Sequence, residues 1–294
     1  MRPAPPLWVW PLGAALATVA ALLMLLWMNH TIGLEPPGLA AAYARRVLEA
    51  PRSPGDIRVV GMGSSLLMAA TPPSYQTAYH LRWIRLSNPG LGVSFLGASL
   101  VQVEQHPPDI LIIEKNLLLV DPQHERMGRL RGEVTLGLRK IAAIAIPSLT
   151  QTNQVDDALQ KQDEDLSCAQ LPKPPNEVDF EKYMDLLNTT YTSLQVDSSL
   201  TAAVQRLARR GVYIVILDIQ RSKTIEHLTT NAKQAWFAHL QQELPPGARL
   251  AYWTSPSYDN GALYCDGSHL SPDGKRQFSV WWYQQLAQLK KTIS

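Results

Sequence analysis

Charge is missing from one stretch of this sequence and nearly balanced over the whole. The chain carries 27 Lys and Arg against 25 Asp and Glu, a formal net charge of +2. It has no Lys/Arg block and no stripe interleaving basic and aromatic residues. The electrostatic footprint of a nucleic-acid-binding surface is therefore absent, and no nucleic-acid partner is expected. Cysteine is scarce: Cys168 and Cys265 are the only two. Their separation excludes a CxxC metal knuckle. In an exported chain they can pair as a disulfide, and two unrelated thiols is the equally open reading. His, Asp and Glu do not gather at metal-ligand spacings, so neither a metal nor another cofactor is expected. No internal repeat is present.

The uncharged stretch comes first. "LWVWPLGAALATVAALLMLLWM" runs from Leu7 to Met28 without a charge. As a helix it rises about 33 Å, enough to cross a hydrocarbon core. Trp8, Trp10 and Trp27 lie near its ends, where aromatic belts form. "NHTIGLEPP" follows it in place of a small-residue cleavage site, so an uncleaved anchor is expected rather than a removed signal peptide. Arg2, the only flanking cation, points to an N-terminus inside and the rest of the chain outside the membrane. Residues 1–28 are thus read as a cytoplasmic tip and membrane anchor. Residues 29–56 hold a short helical pattern, "GLAAAYARRVLEA", between Pro36, Pro37, Pro51 and Pro54, and are read as a stalk.

The remainder, 57–294, alternates. Short β-branched runs stand at 57–61, 82–88, 109–115, 212–219 and 249–255, each ending in polar or glycine residues. Such runs mark buried parallel strands. Helical patterns fill the intervals at 92–104, 125–145, 179–210, 226–243 and 272–290. Strand–helix alternation predicts a three-layer α/β/α domain with a five-stranded parallel sheet in flavodoxin-like order. An insertion at about 121–200 carries a polar, then proline-rich loop too long for a routine connector; lid, partner contact and disorder are all open readings of it.

In an open α/β sheet, ligands sit beyond the carboxyl ends of the strands. The first strand ends there in "GMGSSLL", residues 61–67. As a dinucleotide loop it is a weak match: Gly61 and Gly63 fit the first two glycines, but Leu66 takes the place of the third, and no acid stands near the end of the second strand. No Lys follows to make a phosphate loop. The G-x-S-x-G elbow fails because Leu67 occupies its last position. A strand-to-helix turn with a Ser cap is the plain structural alternative.

The neighbouring strand ends add to this. The second strand runs into "SNPGLG", which contains Gly90, and the third into "EKN", which ends in Asn116. A Ser hydroxyl, a glycine N–H and an Asn amide on adjacent loops supply a nucleophile and oxyanion donors. A serine nucleophile needs an imidazole base, and the base needs a carboxylate. "DGSH", after the fifth strand, offers Asp266 and His269 at the same edge. "DPQH" at 121–124 has the same spacing, but it shares a strand end with Asn116, so Asp266 and His269 are preferred.

Together these segments resemble the SGNH, or GDSL-type, hydrolase family. "GSSL" at 63–66 is similar to its first block, with Ser65 as nucleophile and Ser64 where the family often has Asp. Gly90 resembles the second block, Asn116 the third, and "DGSH" the last. Glu114 stands in place of the usual Gly of the third block, and Leu117 in place of its Asp. Within the family, an anchored chain of this kind resembles envelope proteins of exopolysaccharide O-acetylation and teichoic-acid D-alanylation. The resemblance implies serine-dependent acyl transfer to or from an ester-bearing glycan, beside a multispanning membrane acyltransferase. A hydrolytic esterase, or a non-catalytic scaffold of the same fold, are the alternatives.

Overall fold

A computed structural model describes residues 9–31, 39–76, 80–87, 92–120, 168–170, 195–196, 198–227 and 249–293, with single positions 234, 238 and 242. The helical patterns at 125–145 and 226–243 lie wholly or mostly outside these residues, as does most of the insertion.

All five expected strands are present: β1 (Ile57–Gly63), β3 (Leu81–Ser87), β4 (Ile110–Glu114), β7 (Tyr213–Asp218) and β8 (Leu250–Thr254). They lie parallel in the order β3-β1-β4-β7-β8. Taken in chain order, that is the flavodoxin-like 2-1-3-4-5 arrangement. A two-residue strand, β2 (Tyr75–Gln76), adds antiparallel to β3 and was not foreseen. β5 (Leu119–Val120) and β6 (Gln195–Val196) form a separate antiparallel pair.

Strand side chains alternate between two faces, and each face has its own core. Val60, Met62, Ile84, Leu86, Leu111, Ile113, Ile214 and Ile216 point to one. Against them pack α2 (Leu39–Glu49), α4 (Gly92–Gln105) and α5 (Ser198–Arg209). Val59, Trp83, Ile112, Val215, Leu217 and Trp253 point to the other, under α3 (Ser65–Ala70) and α6 (Pro272–Ile293). Both faces being covered explains why the strands read as continuous apolar runs.

The helix expected in the stalk is α2, but it is not a free spacer. Tyr43, Ala44 and Leu48 are buried in the first core. Arg58 of β1 donates to Leu48 O at 2.7 Å and to Ala50 O at 3.2 Å, filling carbonyls that the end of α2 leaves open. The Tyr43 hydroxyl donates to Arg85 O at 3.2 Å. The period-3.6 spacing of these apolar residues matches a packed helix face, and the flanking prolines concealed it.

The first helix, α1 (Val9–Thr31), coincides with the uncharged run. Leu16, Val19, Leu23 and Met24 on it are exposed. Among the described residues, no helix is long and apolar enough to cross a membrane. Side chains at several α1 positions lie outside the described set, so the spanning reading of 7–28 rests on the sequence.

Two glycines of "GMG" are packing residues. A Cβ on Gly61 would overlap the Trp83 ring, and one on Gly63 would overlap the Leu67 side chain. Trp83 in turn meets Trp282 of α6 edge-to-face, with centroids 4.9 Å apart. Gly61 is therefore the floor on which the aromatic stack rests. Gly61→Ala is expected to destabilise the domain by about 1–3 kcal/mol, the usual cost of overpacking a core. A urea titration followed by tryptophan fluorescence measures it; an unchanged midpoint contradicts this packing.

Candidate active site

The chain order doubles back between β1 and β4, and the carboxyl ends of those strands flank the crevice this creates. Ser64 leaves β1 in an extended conformation and caps α3, its hydroxyl accepting from Leu66 N–H at 3.1 Å. Ser65 is therefore the first residue of a helix that begins directly at the strand end. The far end of α3 is tied down by Arg85, fully buried on β3, which donates to Met68 O at 3.2 Å and Thr71 O at 2.8 Å. A guanidinium at a helix C-terminus also suits the helix dipole.

His269 and Asp266 arrive from the opposite end of the chain. Residues 264–270 form a tight return, with Tyr264 and Leu270 bridged antiparallel and Cys265 N–H donating to His269 O at 2.7 Å. Gly267 sits at its tip with φ +81°, a left-handed conformation that favours glycine. Its carbonyl accepts from Ser222 N–H at 2.9 Å, which moors the tip. Below it, Gly274 lets the first turn of α6 approach closely: a Cβ there would overlap Leu263 O. The return is thus clamped from both sides.

Within it the Asp266 carboxylate accepts from Ser268 N–H at 3.0 Å and from His269 N–H at 2.8 Å. Its other oxygen lies 2.8 Å from His269 Nδ1. The opposite ring nitrogen, Nε2, lies 2.8 Å from Ser65 Oγ. A carboxylate on Nδ1 fixes the tautomer that leaves Nε2 as acceptor for the serine proton. Side chains of Asp266 and His269 are largely shielded, at 13% and 15% exposed. Burial pushes the Asp266 carboxyl up. The His269 ring and the two backbone donors outweigh it and hold the carboxyl below the ordinary aspartate value.

Cys265 and Cys168 are joined in a disulfide, with Cα atoms 5.2 Å apart. The two readings open in the sequence thus resolve to a pair. The bridge fastens a point in the insertion to the residue directly before Asp266.

Asn116 is on the 3₁₀ turn Lys115–Leu118 that follows β4, as the spacing predicts. Its Nδ2 donates to Glu114 Oε1 at 3.1 Å. Gly90, and the alternative pair Asp121 and His124, lie outside the described residues.

Sequence reasoning missed two features of this rim. Glu114, noted only as a departure from a pattern, is fully buried and accepts from Ser64 and Leu67 as well as Asn116. Lys115, 2% exposed, pairs with Asp218 at 2.5 Å, and Gln220 donates to the same carboxylate at 2.6 Å. The signal for both was an ionisable residue at the end of an otherwise apolar strand, where burial demands a partner.

Comparison with protein-family models, with curated proteins and with solved structures returns no match for this chain.

Because the folded state holds Asp266 below its ordinary value, the unfolded chain binds the proton more readily. The resulting stability is present above about pH 4, the unfolded aspartate range, and is lost as pH falls through the lower folded value. Urea midpoints measured from pH 2.5 to 7 are expected to fall more steeply for wild type than for Asp266→Asn below about pH 4. Parallel curves contradict this assignment.

Proposed function

We propose that this protein is an SGNH-like serine enzyme that transfers an O-acetyl or similar acyl group on a cell-envelope or exported polysaccharide. The observation that carries the reading is the relay Asp266–His269–Ser65, closed by two contacts of 2.8 Å. His269 Nε2 takes the hydroxyl proton as Ser65 Oγ attacks an ester carbonyl. The carbonyl oxygen becomes an oxyanion, to be held by the Asn116 amide, the Gly90 N–H and the Ser65 N–H, which as the first of its helix has no intrahelical acceptor. The tetrahedral species then expels the alkoxide, which regains its proton from His269. An acyl-Ser65 remains. A glycan hydroxyl resolves it in transfer, water in hydrolysis, and the same three residues serve both.

Activity-based labelling with a fluorophosphonate tests this. Wild type is expected to label and Ser65→Ala not to. His269→Ala is expected to slow labelling by about a thousandfold or more, as loss of a triad base does elsewhere. An unlabelled wild type would leave the non-catalytic scaffold standing.

The location proposed is the bacterial cytoplasmic membrane, with α1 spanning and the domain outside, where a multispanning acyltransferase would deliver the acyl group. The uncharged run Leu7–Met28, the exposed apolar side chains on α1 and the Cys168–Cys265 disulfide support it. On alkaline carbonate extraction, the full chain is expected to stay with membranes and a chain lacking residues 1–31 to be released. Release of the full chain would overturn the anchor.

A further inference from the structure

Glu114 ends β4 with its carboxylate wholly out of solvent. A buried carboxylate is tolerated only when its oxygens are satisfied, and here the donors are unusual in where they come from. Ser64 N–H donates to Oε2 at 2.7 Å and Leu67 N–H to the same oxygen at 3.2 Å. The Ser64 hydroxyl is shared between Oε1 at 2.8 Å and Oε2 at 3.0 Å. Asn116 Nδ2 reaches Oε1 at 3.1 Å. Two of these groups sit immediately before Ser65 in the chain, and one two residues after it. The last is the side chain read above as an oxyanion donor.

We infer that Glu114 is a positioning residue: one carboxylate, spanning the crevice between β1 and β4, sets both the angle at which Ser65 leaves its strand and the orientation of the Asn116 amide. An Asn side chain can present either its oxygen or its nitrogen. A carboxylate beside it admits only the nitrogen, and so fixes the second N–H as well. The Ser64 and Leu67 backbone donors are among those that the first turn of α3 leaves without intrahelical acceptors, so Glu114 completes a cap that the Ser64 hydroxyl covers in part. Ser65 and Asn116 then move as a unit. The inference rests on the reading of Ser65 as the nucleophile.

A relocated charge tests it. Glu114→Gln keeps the length of the side chain but turns an N–H₂ toward N–H donors. Ser64→Asp alone puts two carboxylates against each other. In the Ser64→Asp/Glu114→Gln double variant, the new carboxylate caps α3 from the N-cap position, where Asp is favoured, and accepts from the amide introduced at position 114. Fluorophosphonate labelling of the full chain is resolved into the maximal inactivation rate and the concentration for half-maximal rate, on protein shown to be folded by its thermal melt. Glu114→Gln is expected to lower the maximal rate about a hundredfold, the scale of an ångström misplacement at a reacting atom, with the half-maximal concentration within about threefold. The double variant is expected to recover to within about tenfold of wild type, a non-additivity that independent structural damage does not produce. A folded Glu114→Gln with the wild-type maximal rate overturns the role of Glu114 and leaves Ser65 as nucleophile. So does a folded double variant no faster than Glu114→Gln; should Glu114→Gln not fold, the double variant compared with wild type decides in the same way. A wild type that does not label at all removes the nucleophile reading, and this one with it.

Discussion

One hydrogen bond, from Ser65 Oγ to His269 Nε2, joins segments 204 residues apart in the chain. No local structure can make such a contact. It exists because β1 and β8 are strands of the same parallel sheet, so that the segments leaving them emerge at one edge. Parallel strands need crossovers and the crossovers cover both faces, so polar groups gather at the strand ends, and in open α/β sheets ligands sit beyond the carboxyl ends. Everything polar in the candidate site lies at that edge: the Ser64–Ser65 turn, the Glu114–Asn116 turn, and the return that holds Asp266 and His269.

The accuracy of that contact depends on packing well behind it. Trp83, Trp253, Phe278 and Trp282 form an aromatic cluster between the sheet and α6. Interiors of this kind deform little, since a shift of one ring must displace the others. α6 follows the His269 return directly, so the cluster sets the height of that return above the sheet. Gly61, Gly63 and Gly274 are where the polypeptide has been thinned to let these layers approach. A glycine pair that looks like a phosphate-binding fingerprint is here set by packing, Gly61 against the Trp83 ring and Gly63 against the Leu67 side chain.

The five strands were legible because each is a short, mostly apolar run, largely buried in β1, β3, β4 and β7 and half-buried in the edge strand β8, and the register at their ends put Ser65, Asn116, Asp266 and His269 on one edge. Docking of α2 was not legible: proline on each side gave the look of a linker, while the cause of its docking, Arg58 reaching the end of that helix, is a tertiary contact. β2 is two residues long and carries no pattern. Glu114 was visible as an oddity but not as a ligand of Ser64, since a carboxylate at the end of one strand says nothing about which strand lies beside it. That knowledge is topological: β4 adjoins β1 only because the chain order reverses there.

The disulfide acts on the same return by a different route. Cys168 and Cys265 close a loop of 97 residues, for which the chain-entropy account gives about 4–5 kcal/mol of stabilisation through the unfolded state. That loop takes in part of the insertion together with α5, β7 and β8, and the bridge ties the insertion at Cys168 to the return that holds Asp266 and His269. Asp266 gains by adjacency. Its carboxylate must face His269 Nδ1 while accepting two backbone N–H groups, and each of those constraints fails if the backbone at 265 drifts. A cystine survives in an oxidising compartment and not in a reducing one. Under the proposal made above, the geometry of the relay and the location outside the membrane are linked: a disulfide that steadies the return holding Asp266 and His269 would persist on that side, and the uncharged N-terminal run would keep the domain there.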